Sequence, residues 1–75
     1  MNENLAVGIT MLFRDLDGKS PKQIKEDDKL IASARKFCEA WRLIVAGGGN
    51  PAKLIVGIEE QDLLYVLNMS SRAIR

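Results

Sequence analysis

Cys38 is the only cysteine of this 75-residue chain, and the chain contains no histidine. So short a chain buries little apolar area, and natural proteins of this size often add a disulfide, a structural metal or a second chain. An internal disulfide needs two cysteines, and the usual zinc sites need several cysteine or histidine ligands. We therefore expect no metal and no cofactor, and we expect association with another chain to supplement the core.

Charge and hydropathy argue against several classes of partner. The formal net charge is +1, which gives no overall attraction to nucleic acid or anionic lipid. Uninterrupted apolar runs such as Leu43–Ala46 and Leu54–Val56 are far shorter than the ~20 residues of a membrane span. Residues 1–4 lack the basic lead-in of a secretory signal, and a lone cysteine suits a reducing compartment. We expect a cytoplasmic protein with no membrane partner.

The N-terminal segment has the periodicity of one helix face. Apolar residues recur at steps of four and three, at Leu5, Ile9, Leu12 and Leu16, with Met11 and Phe13 widening the stripe. Asn2 and Asn4 are acceptable N-caps, and Asp17–Gly18 ends the helix. Gly8 costs about 1 kcal/mol relative to alanine inside a helix, so we expect another backbone to pack closely against it.

The clearest element is a long central helix. One apolar row contains Leu30, Ala34, Phe37, Trp41 and Ile44, and a second row contains Ile31, Cys38 and Val45, one heptad apart. Asp27 and Asp28 stand where carboxylates meet free backbone amides, and Gly47–Gly49 closes the helix. Before it, Ser20 and Pro21 predict a short helical turn over residues 21–25.

The C-terminal part is harder to assign. Asn50 and Pro51 begin a segment over residues 51–58 that is either a short helix or a strand, because its β-branched residues suit both. From Glu59 a further helix either breaks at Asn68 or continues to Ile74. We predict a single all-α domain over residues 1–75, a bundle of about four helices. In it, the first and long helices form a hairpin with the C-terminal segments across its open face; a strand pair around the glycine loop is the alternative.

No residue pattern indicates catalysis. Without histidine, general-base work falls to carboxylates or lysines, and the carboxylates cluster at predicted helix ends, where capping explains them. The glycine loop at residues 47–53 lacks the spacing of a phosphate-binding P-loop and is better explained as two helix caps. We expect that the protein is not an enzyme.

The long helix instead predicts a protein-binding surface. Phe37 and Trp41 lie one turn apart on one face, and large aromatic side chains are typical interface anchors. Cys38, between them, suits a small buried hydrophobic residue better than a reactive thiol. The expected partner is a second copy of the chain, as a dimer or higher oligomer, or a larger protein. The residues predicted for this surface are Phe37, Trp41, Ile44, Leu12, Leu63 and Leu67.

A second function is suggested by a local resemblance in the last fifteen residues. Leu67, Asn68, Met69 and Ser70, followed by Ile74, resemble the helix-turn-helix of bacterial DNA-binding proteins. In that family a helix ends in leucine, a turn residue and a buried aliphatic residue follow, and a serine caps the recognition helix. The resemblance implies an alternative function as a small DNA-binding regulator. Its DNA contacts would come from Ser70, Ser71, Arg72 and Arg75.

Overall fold

A computed structural model describes the backbone of residues 3–75 and the side chains of residues 5–75. Within residues 3–75 the chain forms five α-helices and no strand. They are α1 (Glu3–Leu16), α2 (Pro21–Lys25), α3 (Asp28–Ala46), α4 (Pro51–Leu54) and α5 (Glu60–Ala73). The all-α prediction is confirmed, with one helix more than about four because both short segments are helical. The predicted alternative of a strand pair around the glycine loop is wrong.

Short polar side chains set where α2 and α3 begin. Ser20 and Gln23 form a reciprocal capping box, in which the Ser20 hydroxyl accepts from the Gln23 amide and the Gln23 side chain accepts from the Ser20 amide. Asp27 accepts from the amides of Lys29 and Leu30 at the start of α3. These caps confirm the predicted starts of both helices. The predicted Asn2 cap lies outside the described residues, as does the side chain of Asn4.

The glycine loop consists of a helix end and a helix start. Gly47 follows α3, and Gly48 adopts a positive φ of 84°, which lets the Gly49 amide donate to the Ile44 carbonyl at 2.9 Å. The Asn50 side chain then accepts from the Ala52 amide and caps α4. The two-cap interpretation accounts for the loop. Beyond α4 the chain turns at Gly57, where φ is 88°.

The three longer helices meet in one core. α1 packs on α3, α5 packs against both, and the short α2 contacts α3 and α5. The predicted pairing of the first and long helices, with the C-terminal helix across them, therefore matches the packing. The buried apolar residues are Ile9, Phe13, Leu16, Ile24, Ala34, Phe37, Ile44, Ile55, Leu63, Val66, Met69 and Ala73.

The structure corrects two expectations about individual positions. A Cβ built on Gly8 meets no atom within 4 Å apart from the helix's own backbone, so the predicted close packing of another backbone is wrong. Met11 is 62% exposed and does not widen the buried stripe. The two open alternatives are also resolved. Residues 51–54 are helical, and α5 continues through Asn68 to Ala73.

Candidate interaction surfaces

Half of the residues predicted for a protein-binding surface lie in the core. Phe37 is 0% exposed, and Ile44 and Leu63 are also buried. They cannot contact a partner while the fold is intact, because α1 and α5 cover the face of α3 that the periodicity identified. The aromatic pair is therefore divided between two roles: Phe37 fills the core, and Trp41 remains half-buried.

Trp41 and Leu67 line a groove between α3 and α5. The groove has a volume of about 490 Å³. The Trp41 ring packs against the buried Phe37 ring, with the ring centroids 6.0 Å apart and the planes tilted by 37°. We name this surface the α3–α5 groove, and its lining residues are Arg35, Cys38, Glu39, Trp41, Arg42, Leu67, Ser71 and Ile74.

Cys38 is half-buried in the α3–α5 groove. Burial raises the pKa of its thiol because the thiolate loses hydration, and the nearby Arg42 guanidinium opposes this effect by favouring the anion. The pKa nevertheless remains above its ordinary value. The half-buried thiol can therefore serve as a chemical probe of the groove. Its raised pKa favours the protonated form, which is less reactive than the thiolate.

Leu12, the remaining residue of the predicted set, lines a second groove, between α1 and α3. This α1–α3 groove has a volume of about 220 Å³ and also contains Gly8, Lys36, Ala40 and Leu43. The missing side chain of Gly8 leaves open space on this side of α1. The predicted interaction residues are thus distributed over the core and two grooves, and they do not form one continuous surface.

An exposed apolar surface lies on the outer side of α1. Val7 and Met11, one turn apart, are 59% and 62% exposed, and Val56 beside them is 93% exposed. Leu54 and the aliphatic part of Arg14 border the same surface. We name Val7, Met11 and Val56 the α1 patch. The sequence did contain a signal for it, because residues 5–13 include no charged side chain, which is unusual for a helix with one solvated side.

The continuous α5 gives the residues of the DNA-binding alternative different surroundings, from the core to solvent. Ser70 is 0% exposed, and its hydroxyl has no hydrogen-bond partner, so it neither caps a helix nor reaches a ligand in this structure. Ser71 lines the α3–α5 groove, while Arg72 and Arg75 are exposed. The turn that the resemblance requires at Asn68 is absent, since α5 runs through it.

The described residues form neither a metal-binding cluster nor a membrane-spanning helix. No group of three or more cysteine, aspartate or glutamate side chains is arranged to hold a metal ion. No helix within residues 3–75 combines the length and the apolar character needed to cross a bilayer.

Comparison with known protein families, curated proteins and solved structures finds no match to this chain. Its class therefore rests on its own structure, a small helical protein with exposed apolar surface.

Proposed function

We propose that this chain is a non-catalytic protein–protein interaction module that self-associates through the α1 patch. The observation that carries the proposal is the exposure of Val7, Met11 and Val56 on one side of a small helical fold. Scattered exposed apolar residues are ordinary, but contiguous ones are typical of surfaces that bind another protein. Here α1 supplies both a core face and an outer apolar face.

The shape around α1 favours a second copy as the partner. A two-fold dimer uses the same surface on both subunits, so that surface has to be complementary to itself. On this chain α1 exposes Val7 and Met11, and the same helix lines the concave α1–α3 groove that contains Gly8. Val7 and Met11 of each copy can therefore pack into the groove of the other, as side chains do between packed helices.

Charge does not oppose this association. The formal net charge of +1 gives little long-range repulsion between two copies. Residues 5–13 are uncharged, so no lysine, arginine or carboxylate from this part of α1 would be desolvated in the interface. Burial of the α1 patch consequently adds apolar contact. The ionised groups nearest to it are Arg14 at its border and the oppositely charged Lys36 and Glu39 of the α1–α3 groove.

Light scattering coupled to size exclusion tests the proposal on the intact chain. We expect a mass near twice 8.3 kDa at tens of micromolar, and Met11→Lys is expected to return the protein to a monomer because it places a charge at the interface centre. Ala32→Lys is the matched control, since Ala32 is an exposed apolar residue of α3 outside both grooves. A native chain that stays monomeric at several hundred micromolar would refute self-association.

A further inference from the structure

The α3–α5 groove has an apolar floor formed by two helices. Trp41 comes from α3, Leu67 from α5 and Ile74 from the C-cap of α5, each half-buried with part of its side chain open to solvent. Leu67 and Ile74 are seven residues apart, which places them on the same side of α5 about two turns from each other. The floor is therefore a strip along the helices, wide enough for a row of apolar side chains.

The rim of this groove is predominantly basic. Arg35 and Arg42 are also seven residues apart, about 10 Å along α3 at 1.5 Å per residue, and Glu39 is the single carboxylate between them. The side-chain hydrogen bonds among the described residues involve caps, Thr10 and Gln61, and none involves either arginine. Both guanidinium groups thus have donors that a bound carboxylate can use.

We propose that the α3–α5 groove binds an amphipathic helix of another protein, whose apolar face is flanked by two carboxylates about two turns apart. A helix laid in a groove contacts it through side chains at positions i, i+3, i+4 and i+7. Its apolar side chains would cover Trp41, Leu67 and Ile74. Glutamates at i and i+7 would have the spacing of Arg35 and Arg42, so both ion pairs would form at once.

The α1 patch of a second copy does not match the charges of this groove. The α1 patch belongs to a helix whose residues 5–13 contain no carboxylate, so it offers nothing to the two arginines. The groove shares no residue with the α1 patch and only Glu39 with the α1–α3 groove. The two proposed sites therefore use different apolar surfaces, and each can fail without the other.

The chain contains its own reporters for a binding experiment. Trp41 and Cys38 are its only tryptophan and cysteine, and both line this groove. A helical peptide with leucines on one face and glutamates at i and i+7 is titrated against the full chain, and Trp41 emission is followed. The matched peptide has glutamine in place of both glutamates. We expect saturable binding of the acidic peptide, slower alkylation of Cys38 in its presence, and weaker binding as salt is raised.

Two substitutions of equal charge separate the groove from general electrostatics. Arg42→Gln is expected to weaken binding of the acidic peptide about 2- to 5-fold, the range for exposed ion pairs. Lys29→Gln removes a charge from the same helix at an exposed position outside both grooves, and it is expected to leave the affinity within about 1.5-fold. Arg35→Gln repeats the test if Arg42→Gln lowers the melting temperature.

Several results would overturn the proposal. Equal binding of the glutamine peptide would remove the role of the carboxylates, and equal losses in Arg42→Gln and Lys29→Gln would remove the role of the groove. A Trp41 response to duplex DNA without a response to the acidic peptide would identify a nucleic-acid site instead. If Arg42→Gln lowers the mass of the native chain in light scattering, a second copy occupies the groove. Repeating the titration in Met11→Lys keeps these outcomes separate from self-association through the α1 patch.

Discussion

Replacement of Ser70 by alanine is expected to stabilise this protein. Ser70 is fully buried on the inner side of α5, and its hydroxyl oxygen has no partner. Thr10 shows the usual alternative, because its hydroxyl donates to the Ala6 carbonyl at 2.8 Å, one turn earlier in α1. The Ser70 hydroxyl therefore loses hydration on folding and gains no hydrogen bond in return.

The magnitude follows from two contributions and one loss. Leaving a buried hydroxyl unpaired costs about 1–3 kcal/mol, and alanine is favoured over serine inside a helix by up to about 0.5 kcal/mol. Removing one oxygen forfeits a few contacts of about 0.1–0.2 kcal/mol each. The net expectation for Ser70→Ala is a gain of about 1–2 kcal/mol, which raises the melting temperature by about 4–8 °C per kcal/mol in a domain of this size.

Thermal and urea unfolding followed by circular dichroism measure this change. Ser71→Ala is the matched control, because Ser71 is the next residue of the same helix and is only half-buried. It carries the same difference in helix propensity without the buried hydroxyl, so we expect a change of at most about 0.5 kcal/mol. The result also bears on the helix-turn-helix alternative. Substitution of a serine that caps a recognition helix costs about 1 kcal/mol. A destabilised Ser70→Ala would therefore refute the assignment of an unpaired hydroxyl.

Two further predictions concern the α3–α5 groove and α5. Alkylation of Cys38 near neutral pH is expected to be slower than that of a free thiol, because burial raises the thiol pKa and lowers the thiolate fraction. In Arg42→Gln the alkylation of Cys38 should be slower still at the same pH, since the positive charge that favours the thiolate is gone. An iodoacetamide time course measures both rates. An unchanged rate in the variant would contradict the assigned effect of Arg42. Titration of the native chain with mixed-sequence duplex DNA at 50 and 200 mM salt is expected to show no salt-dependent binding, because the net charge is +1 and α5 lacks the required turn. Measurable affinity that falls steeply with salt would instead support the DNA-binding alternative.

The helix boundaries were predictable because they are local. Ser20 with Pro21, Asp27, and Asn50 with Pro51 each form their caps from residues within three positions, so nearby sequence suffices to place the helix starts. The continuity of α5 was also visible in principle. Leu63, Val66, Ser70 and Ala73 have helical spacing and share the buried face, and this periodicity outweighs the turn propensity of Asn68.

The division between core and surface was less predictable. Periodicity shows which residues share a helix face, but it does not show how many neighbouring helices cover that face. Phe37 and Trp41 have equivalent patterns in the sequence, yet the first is enclosed and the second lines a groove. Met11 was assigned to the core for the same reason. In each case the outcome depends on where α4 and α5 pack, which is a property of the tertiary fold.

The capping of α2 has a consequence for how these surfaces behave. Ser20 and Gln23 bond to each other at one end of α2, Asp27 starts α3 only two residues after its other end, and Ile24 anchors it in the core. The connection from α1 to α3 is thus held by caps at both ends of α2 and by one core side chain, and these contacts help to set the distance between the two helices. A partner entering the cleft between them would find it already shaped, and little of the interaction energy would be lost to ordering the chain.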